Sequence, residues 1–489
     1  MWGKKYIKPK LQIFPINLIS FISLIPLLLY SNHSIASSDG YKIKIQISGI
    51  ADSVCYLANY FGDKTYLADT SFVDKKGRFV FEGDSALPGG IYIVAGQSNN
   101  RLFEMIIDKE QKFEVTSDIS DISGKIKFKG SNDNTLFFNY INFNTAKHKE
   151  IESLKKSLSK LKEQPDSLAA INYLIDELNK ELGYYKLKII EEHPESFVTV
   201  IFKAMKEPEI KDVPLLENGR EDSVYVYQYY KQHYWDDFDV SDDRLLRTPM
   251  FHRKLEQYFT KVLYQHPDTI VKDADIFMVK TRPNKETFKY AVWYLTYKYE
   301  TSKIMGFDEI FVHMVDNYYA KGEAYWADSS VVKSLTKRAD ALRSILIRKT
   351  APELILIDTN GAFFSLHHVP AQYMVVMFYE LDCGHCKGEI KELKAWYEDN
   401  DLGLEVFAVC TDTSLTKWKK HIKEYDLSWI NVNGTRSITS DYHDLYDIRV
   451  TPTLFLLDRE KNIIAKRLNT EQLRPFLVNY HKKKQPGSE

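Results

Sequence analysis

Four consecutive residues near the C-terminus have the types and spacing needed for thiol–disulfide chemistry. Cys383, Gly384, His385 and Cys386 form a Cys-x-x-Cys sequence. Two cysteines one helical turn apart can close a short disulfide, and a helix start favours the thiolate of the first. Because the thiolate is the attacking species in disulfide exchange, we expect Cys383 to be the nucleophile and Cys386 the resolving thiol.

Two charged neighbours are expected to tune the first cysteine in opposite directions. His385, when protonated, would stabilise the Cys383 thiolate and therefore the reduced state of the pair. Asp382 would act the other way, because an adjacent negative charge raises the pKa of a thiol. The sequence does not rank these two effects.

A second chemical signal lies further along the chain, at Val450-Thr451-Pro452-Thr453. A proline just before a predicted strand often indicates only an edge or a turn. After an upstream Cys-x-x-Cys in a strand–helix context, Pro452 is better interpreted as a cis-proline whose loop faces the two sulfurs. The backbone of Thr451 would then be open to pair with a substrate chain.

Other chemistries fit these residues less well. A structural zinc site needs a second ligand pair, and the nearby His367-His368 lacks the usual spacing. Covalent haem attachment needs a histidine directly after the second cysteine, where this chain has Lys387. A thiol peroxidase would need a Pro/Thr arrangement before its cysteine, which residues 378–382 lack. We therefore predict no metal and no cofactor.

The two cysteines must be held between a buried strand and a helix. Tyr373–Tyr379 is a continuous apolar run, typical of a strand buried on both faces. A helical pattern follows the second cysteine, and Leu404–Val409 has the pattern of another buried strand. The remaining predicted elements are a helix around Trp418, strands at Thr453–Leu457 and Ile463–Leu468, and a helix at Glu471–Tyr480.

Residues 350–480 resemble a thioredoxin-fold domain of the TlpA/ResA type. The resemblance rests on Ala351-Pro352-Glu353-Leu354, on the CGHC sequence and on Thr451-Pro452. It implies a thiol–disulfide oxidoreductase. Gly384-His385 is the dipeptide of protein disulfide isomerases, so this pair should be less reducing than thioredoxin by about 90 mV.

Two positions depart from the family pattern. The tryptophan that usually precedes the first cysteine is Asp382 here, and the usual buried acid is replaced by Met377. The proton acceptor for Cys386 would then be Glu380, Lys387 or water.

Residues 40–130 are predicted to form an all-β sandwich. Ile43, Ile45 and Ile47 alternate with polar residues, and further short strands follow. Tyr66–Val73 and Arg78–Glu82 flank a turn, which is a hairpin signal. This segment resembles an uncharacterised module of envelope thioredoxin-like proteins from Bacteroidetes-type bacteria.

Residues 132–346 switch to helical spacing and predict an α-helical domain, part of which resembles a second uncharacterised module of the same proteins. The aromatic run Tyr225–Trp235 fits either a stacking platform or helical core, and core is the favoured interpretation. His313 with Asp316 and Asn317 could suggest a metal pair, but a solvated helix face fits better because no third ligand is evident.

Composition limits the class of protein. The 489 residues include 66 Lys and Arg against 67 Asp and Glu, so a protein that coats nucleic acid is excluded. Four cysteines are too few for a disulfide-stapled scaffold. We expect the two cysteines outside the Cys-x-x-Cys pair, Cys55 and Cys410, to be buried and unreactive.

The first 36 residues resemble an export signal. Lysines precede an apolar run that is densest from Leu18 to Tyr30, and Ser34-Ile35-Ala36 offers small residues for cleavage after Ala36. The alternative is an uncleaved N-terminal membrane anchor. The full prediction is a signal peptide at 1–36, a β-sandwich at 40–130, helices at 132–346 and a thioredoxin-like domain at 350–482.

Two functions fit this organisation. The first is an exported thiol–disulfide oxidoreductase of the periplasm or cell envelope. Its expected partners are protein or small disulfide and dithiol substrates and an unidentified membrane electron donor or acceptor, with no nucleic acid. The alternative is an envelope binding or scaffold protein that uses residues 41–346, with the thioredoxin domain as a docking module.

Overall fold

The structure is a computed structural model that describes residues 40–158 and 165–484. These residues form two compact units, the first ending at Val262 and the second beginning at Leu263. The predicted export signal and its cleavage site lie outside the described residues. Within them, no helix is both long enough and apolar enough to cross a membrane.

The first unit begins with two four-stranded sheets. The strands are β1 (Tyr41–Ser48), β2 (Val54–Phe61), β3 (Lys64–Phe72), β4 (Phe79–Gly83), β5 (Gly90–Ala95), β6 (Arg101–Ile107), β7 (Lys112–Asp118) and β8 (Lys127–Lys129). Their order is β4-β1-β7-β8 in one sheet and β3-β2-β5-β6 in the other. Ile43 and Ile45 of the first sheet share one buried core with Leu57 and Val94 of the second, which confirms the predicted sandwich.

The predicted hairpin in this sandwich is wrong. β3 pairs with β2 and β4 pairs with β1, so the turn between β3 and β4 connects two sheets. The local turn chemistry is nevertheless present, because Asp74 N–H donates to the Arg78 carbonyl at 2.8 Å and Gly77 has a φ of 72°. The turn therefore links β3 to β4 without pairing the two strands.

Helices complete the first unit. They are α1 (Ile122–Lys125), α2 (Asn132–Leu158), α3 (Pro165–Glu192), α4 (Phe197–Ala204), α5 (Ser223–His233) and α6 (Met250–Gln257), with a 3-10 turn at Asp243–Arg247 and a π turn at Tyr258–Val262. The aromatic run Tyr225–Trp235 lies mostly on α5. Tyr234 and Trp235 at its end are buried, whereas α5 itself has no buried residue. The core interpretation therefore holds for the end of the run.

The second unit opens with four helices. These are α7 (Pro267–Thr281), α8 (Lys285–Glu300), α9 (Asp308–Met314) and α10 (Ser329–Arg343), with a π turn at Val315–Tyr319. His313 Nε2 lies 2.8 Å from Asp275 Oδ1 and its Nδ1 lies 3.1 Å from Asn317 Nδ2. Both ring nitrogens thus have protein partners. Among the described residues, no group of three or more His, Cys, Asp or Glu side chains could hold a metal ion.

A mixed seven-stranded sheet forms the rest of this unit. The strands are β9 (Ile355–Asp358), β10 (Phe363–Ser365), β11 (Tyr373–Tyr379), β12 (Leu404–Cys410), β13 (Ile430–Ser437), β14 (Thr453–Leu457) and β15 (Ile463–Lys466), in the order β10-β9-β13-β12-β11-β14-β15. The helices are α11 (Gly384–Glu398), α12 (Leu415–Tyr425), α13 (Tyr442–Tyr446) and α14 (Thr470–Lys484). Together with the sandwich and the helices, this sheet confirms the predicted fold class of β, α and α/β parts.

The central strand β11 places the cysteines. All seven of its residues are buried, and it pairs in parallel with β12 and antiparallel with β14. Apolar side chains such as Val375 and Val376 point to opposite faces of the sheet, so both faces must be covered. The chain leaves the sheet after Tyr379 and enters α11 five residues later.

One buried ion pair joins the helices of the second unit to its sheet. Lys466 of β15 is 2% exposed, and its ammonium contacts the Asp308 carboxylate and donates to the Ile345 carbonyl at 2.6 Å. Burial lowers the pKa of Lys466, while Asp308 opposes that shift. A buried charge of this kind requires its partners, because an unpaired one is strongly destabilising.

Candidate redox site

Cys383 caps the N-terminus of α11. Its backbone is extended, with φ −79° and ψ 117°, and its sulfur accepts the Cys386 backbone N–H at 3.2 Å. This bond satisfies one of the unpaired amides at the helix start and points the positive end of the helix at the sulfur. Cys383 thus lies at the helix start, as the sequence predicts, and its role as the nucleophile stays a prediction.

The two sulfurs differ in exposure. Cys383 is half-buried, whereas Cys386 is fully buried one turn inside α11. Burial raises the pKa of Cys386 to about 12, and the neighbouring Cys383 adds to that increase. Hydrogen bonds with the Glu380 backbone and the Thr451 side chain act in the opposite direction but do not outweigh burial.

The predicted cis-proline loop lies against the cysteines. The Thr451–Pro452 peptide bond is cis, and Cys383 Sγ lies 3.7 Å from the Thr451 carbonyl oxygen. The structure thus brings together Cys383, Cys386 and Thr451 across a sequence separation that no local motif could bridge. Backbone groups beside the nucleophile are available where a substrate chain would have to lie.

The three residues expected to tune the pair are all at the surface. Gly384 is the first residue of α11, and an added Cβ would meet nothing within 4 Å. His385 and Asp382 are exposed, and the nearest cation to Asp382 is Lys417, whose Nζ is 3.9 Å away. The charged groups of His385 and Asp382 are therefore in contact with water, which partly screens them.

The position of the missing buried acid is apolar. Met377 is fully buried, Glu380 is exposed and Lys387 is half-buried. Of the residues expected to accept the Cys386 proton, only Lys387 is partly within the protein. None of Met377, Glu380 and Lys387 therefore provides a buried carboxylate near Cys386.

A buried polar group near the cysteines was missed in the sequence. The Tyr379 hydroxyl accepts the Trp418 indole N–H at 3.2 Å and is hydrogen-bonded to Cys410. Burial raises the pKa of Cys410 to about 12, and Cys386 lies close enough to add to it. Tyr379 is the last residue of the apolar run, so its hydroxyl at the end of β11 could have been predicted to lie near the cysteines.

The two cysteines outside the pair have separate environments. Cys55 and Cys410 are both fully buried, as predicted. Cys55 lies in the sandwich, where its thiol donates to the Ala95 carbonyl at 3.2 Å and burial raises its pKa to about 12. The ring of His367, the nearby candidate for a zinc ligand, has a protein partner, because its Nε2 lies 2.8 Å from the Ala351 carbonyl oxygen.

Three family models match separate parts of the chain. Residues 347–466 match the AhpC/TSA family, residues 191–339 match the domain of unknown function DUF5106, and residues 41–137 match the domain of unknown function DUF4369. No curated protein matches the chain.

Solved structures are similar to parts of the chain. A domain of a possible thiol-disulfide isomerase from Cytophaga hutchinsonii is 37% identical, with 28% of this chain and 95% of that chain covered and a TM-score of 0.27. The thioredoxin domain of a thiol-disulfide oxidoreductase from Bacteroides vulgatus is 28% identical, covering 28% and 99%, with a TM-score of 0.25. A thioredoxin-like protein from Bacteroides caccae is 19% identical, covering 56% and 99%, with a TM-score of 0.44.

The residues that match the AhpC/TSA family include both cysteines of the CGHC sequence. DUF4369 and DUF5106 modules precede that domain. The chain thus carries a C-terminal thioredoxin-like domain of the AhpC/TSA family, at residues 347–466.

Proposed function

We propose that this chain is an exported thiol–disulfide oxidoreductase that exchanges disulfides in envelope proteins through Cys383 and Cys386. The observation that carries the proposal is the pairing of a half-buried Cys383 at a helix start with a fully buried Cys386 one turn behind it. The adjacent Thr451 carbonyl supports it, because a substrate chain needs backbone partners next to the attacking sulfur.

The exchange proceeds in two displacements. The Cys383 thiolate attacks one sulfur of the substrate disulfide, which breaks the S–S bond and releases one substrate thiolate that takes up a proton. Cys386 then loses its proton and attacks the Cys383 sulfur of the mixed disulfide. This step forms the Cys383–Cys386 disulfide and releases the second substrate thiol, so two electrons pass to the substrate. The reverse sequence oxidises a substrate dithiol.

The different surroundings of the sulfurs support these separate roles. Cys383 is accessible to a substrate, whereas Cys386 is buried beside Cys383. The raised pKa of Cys386 keeps it protonated at neutral pH until the mixed disulfide forms next to it.

We further propose a periplasmic or cell-envelope location, with protein or small disulfide and dithiol substrates and a membrane electron donor or acceptor. The basic and apolar N-terminal segment supports export.

N-terminal sequencing of the chain recovered from the envelope should find Ser37 first. An intact N-terminus would instead indicate a membrane anchor.

Trapping tests the enzyme proposal directly. Cys386→Ala leaves Cys383 able to attack but removes the group that resolves the product, so we expect mixed disulfides to accumulate in cell extracts on non-reducing gels. Cys383→Ser should form none and should reduce insulin no faster than the uncatalysed background. Cys410→Ala is the matched control and should retain activity. A Cys383→Ser variant that performs normally in cells would favour the scaffold function instead.

Alkylation tests the assignment of the nucleophile. At pH 8, a thiol with a pKa of about 12 is ionised in roughly one molecule in ten thousand, so buried Cys386, Cys410 and Cys55 should react slowly. We expect iodoacetamide to modify Cys383 first in the reduced native chain, as located by peptide mass spectrometry. Labelling in urea should modify all four cysteines. Equally fast modification of Cys386 in the native chain would contradict the assignment.

The reduction potential tests the contribution of His385. The CGHC sequence predicts a potential about 90 mV above that of thioredoxin, and His385→Gln should lower it because the cation that favours the reduced state is lost. Equilibration with glutathione buffers measures both values. His368→Gln, at another exposed histidine, should leave the potential unchanged. A wild-type potential near about −270 mV would remove the basis for this role.

A further inference from the structure

A pocket lies beside the cis-proline loop on the surface of the second unit. It has a volume of about 430 Å³, and Pro452 and Thr453 form part of its wall. Thr451, the residue before Pro452, has its carbonyl oxygen 3.7 Å from the Cys383 sulfur. Any substrate held by Cys383 therefore has its neighbouring residues next to this pocket.

Three arginines line the pocket around one carboxylate. Asp447 is buried, with 5% of its side chain exposed, and its carboxylate accepts a hydrogen bond from each of the three arginines. Arg449 Nε donates to Asp447 Oδ1 at 3.0 Å and Arg467 Nη2 donates to Oδ2 at 2.5 Å. Arg338 Nη1 also donates to Oδ1.

The positive charge exceeds the negative charge on this wall. Glu389 also lines the pocket, and its carboxylate accepts the Thr470 backbone N–H. Three guanidinium groups thus face two carboxylates. Burial lowers the pKa of Arg338, and repulsion from Arg449 and Arg467 lowers it further, as expected where cations are crowded.

The two outer arginines have donors to spare. The side chains of Arg449 and Arg467 are 65% and 40% exposed, whereas that of Arg338 is 15% exposed. A guanidinium carries five N–H donors, and the Asp447 bonds described above use one from each outer arginine. Arginine forks match the geometry of a carboxylate and hold it more strongly than a neutral acceptor.

We propose that this pocket binds a carboxylate of the disulfide substrate, with Arg449 and Arg467 as the residues that contact it. The inference rests on the proposed exchange at Cys383 and adds its substrate class, a disulfide with a carboxylate close to the reacting cysteine. Asp447 orients the outer arginines, and Arg338 holds Asp447 through Oδ1, the oxygen that Arg449 also contacts. Since Arg338 lies on α10, within the residues that match DUF5106, the helical module helps to build the pocket.

Matched peptides test the charge requirement. Three disulfide-linked peptide dimers are used, one with Glu beside the cysteine and an amidated end, one with Gln and an amidated end, and one with Gln and a free terminal carboxylate. The reduced full chain is mixed with each, and the second-order rate of disulfide reduction is measured at low salt. We expect at least one carboxylate dimer to react about fivefold faster than the amidated Gln dimer. Whichever does identifies the source of the carboxylate as a side chain or a chain end.

Variants connect that preference to the pocket. Arg449→Gln and Arg467→Gln should each move the rate ratio towards one, and added salt should do the same in the wild type. Arg459→Gln is the matched control, because Arg459 is exposed in the turn after β14 and does not line the pocket. It should leave the ratio unchanged. Circular dichroism of each variant checks that the chain remains folded.

Two results would overturn the inference. If the wild type reduces all three dimers at the same rate, or if both arginine variants keep the full preference, the pocket does not select a carboxylate, and the exchange reaction still stands. If no dimer is reduced and Cys383→Ser behaves like the wild type, the exchange reaction itself fails, and the substrate class fails with it.

Discussion

The burial of Cys386 beneath the first turn of α11 is the constraint on which the rest of the site depends. β11 is covered on both faces, so the chain can present a side chain to a substrate only where the strand ends. The helix that starts there places one sulfur at its cap and the next sulfur inside. The same geometry that exposes the first thiol therefore withholds the second, and the chemical difference between two identical residues arises from one helical turn.

The polar groups near Cys386 are uncharged, and none of them occupies the position where a buried acid is expected. The position of the family's buried acid is filled by Met377, while the polar groups near Cys386 are the Thr451 side chain and, further in, the Tyr379 hydroxyl with Cys410. None of these carries a charge at neutral pH, because burial raises the pKa of both Tyr379 and Cys410. These three polar neighbours of Cys386 are thus uncharged.

Much of the second unit was predictable because its signals are local. The apolar run of β11, the two cysteines and Thr451-Pro452 are each readable within a few residues, and their order indicates the fold. Features that depend on distant partners were not predictable. The β3–β4 hairpin was wrong because the turn signal is local, whereas β3 pairs with β2 and β4 pairs with β1, two strands that lie elsewhere in the chain. The meeting of Arg338 with Asp447 has no local signal, since it exists only after α10 packs near α13.

Lys466 bears on where the second unit can be divided. Its ammonium is enclosed by Asp308 and the Ile345 carbonyl, both of which precede the residues that match the AhpC/TSA family. A fragment that begins at residue 347 would lack both partners of this ammonium. The shortest piece of the chain that keeps the buried ion pair therefore extends back at least to Asp308.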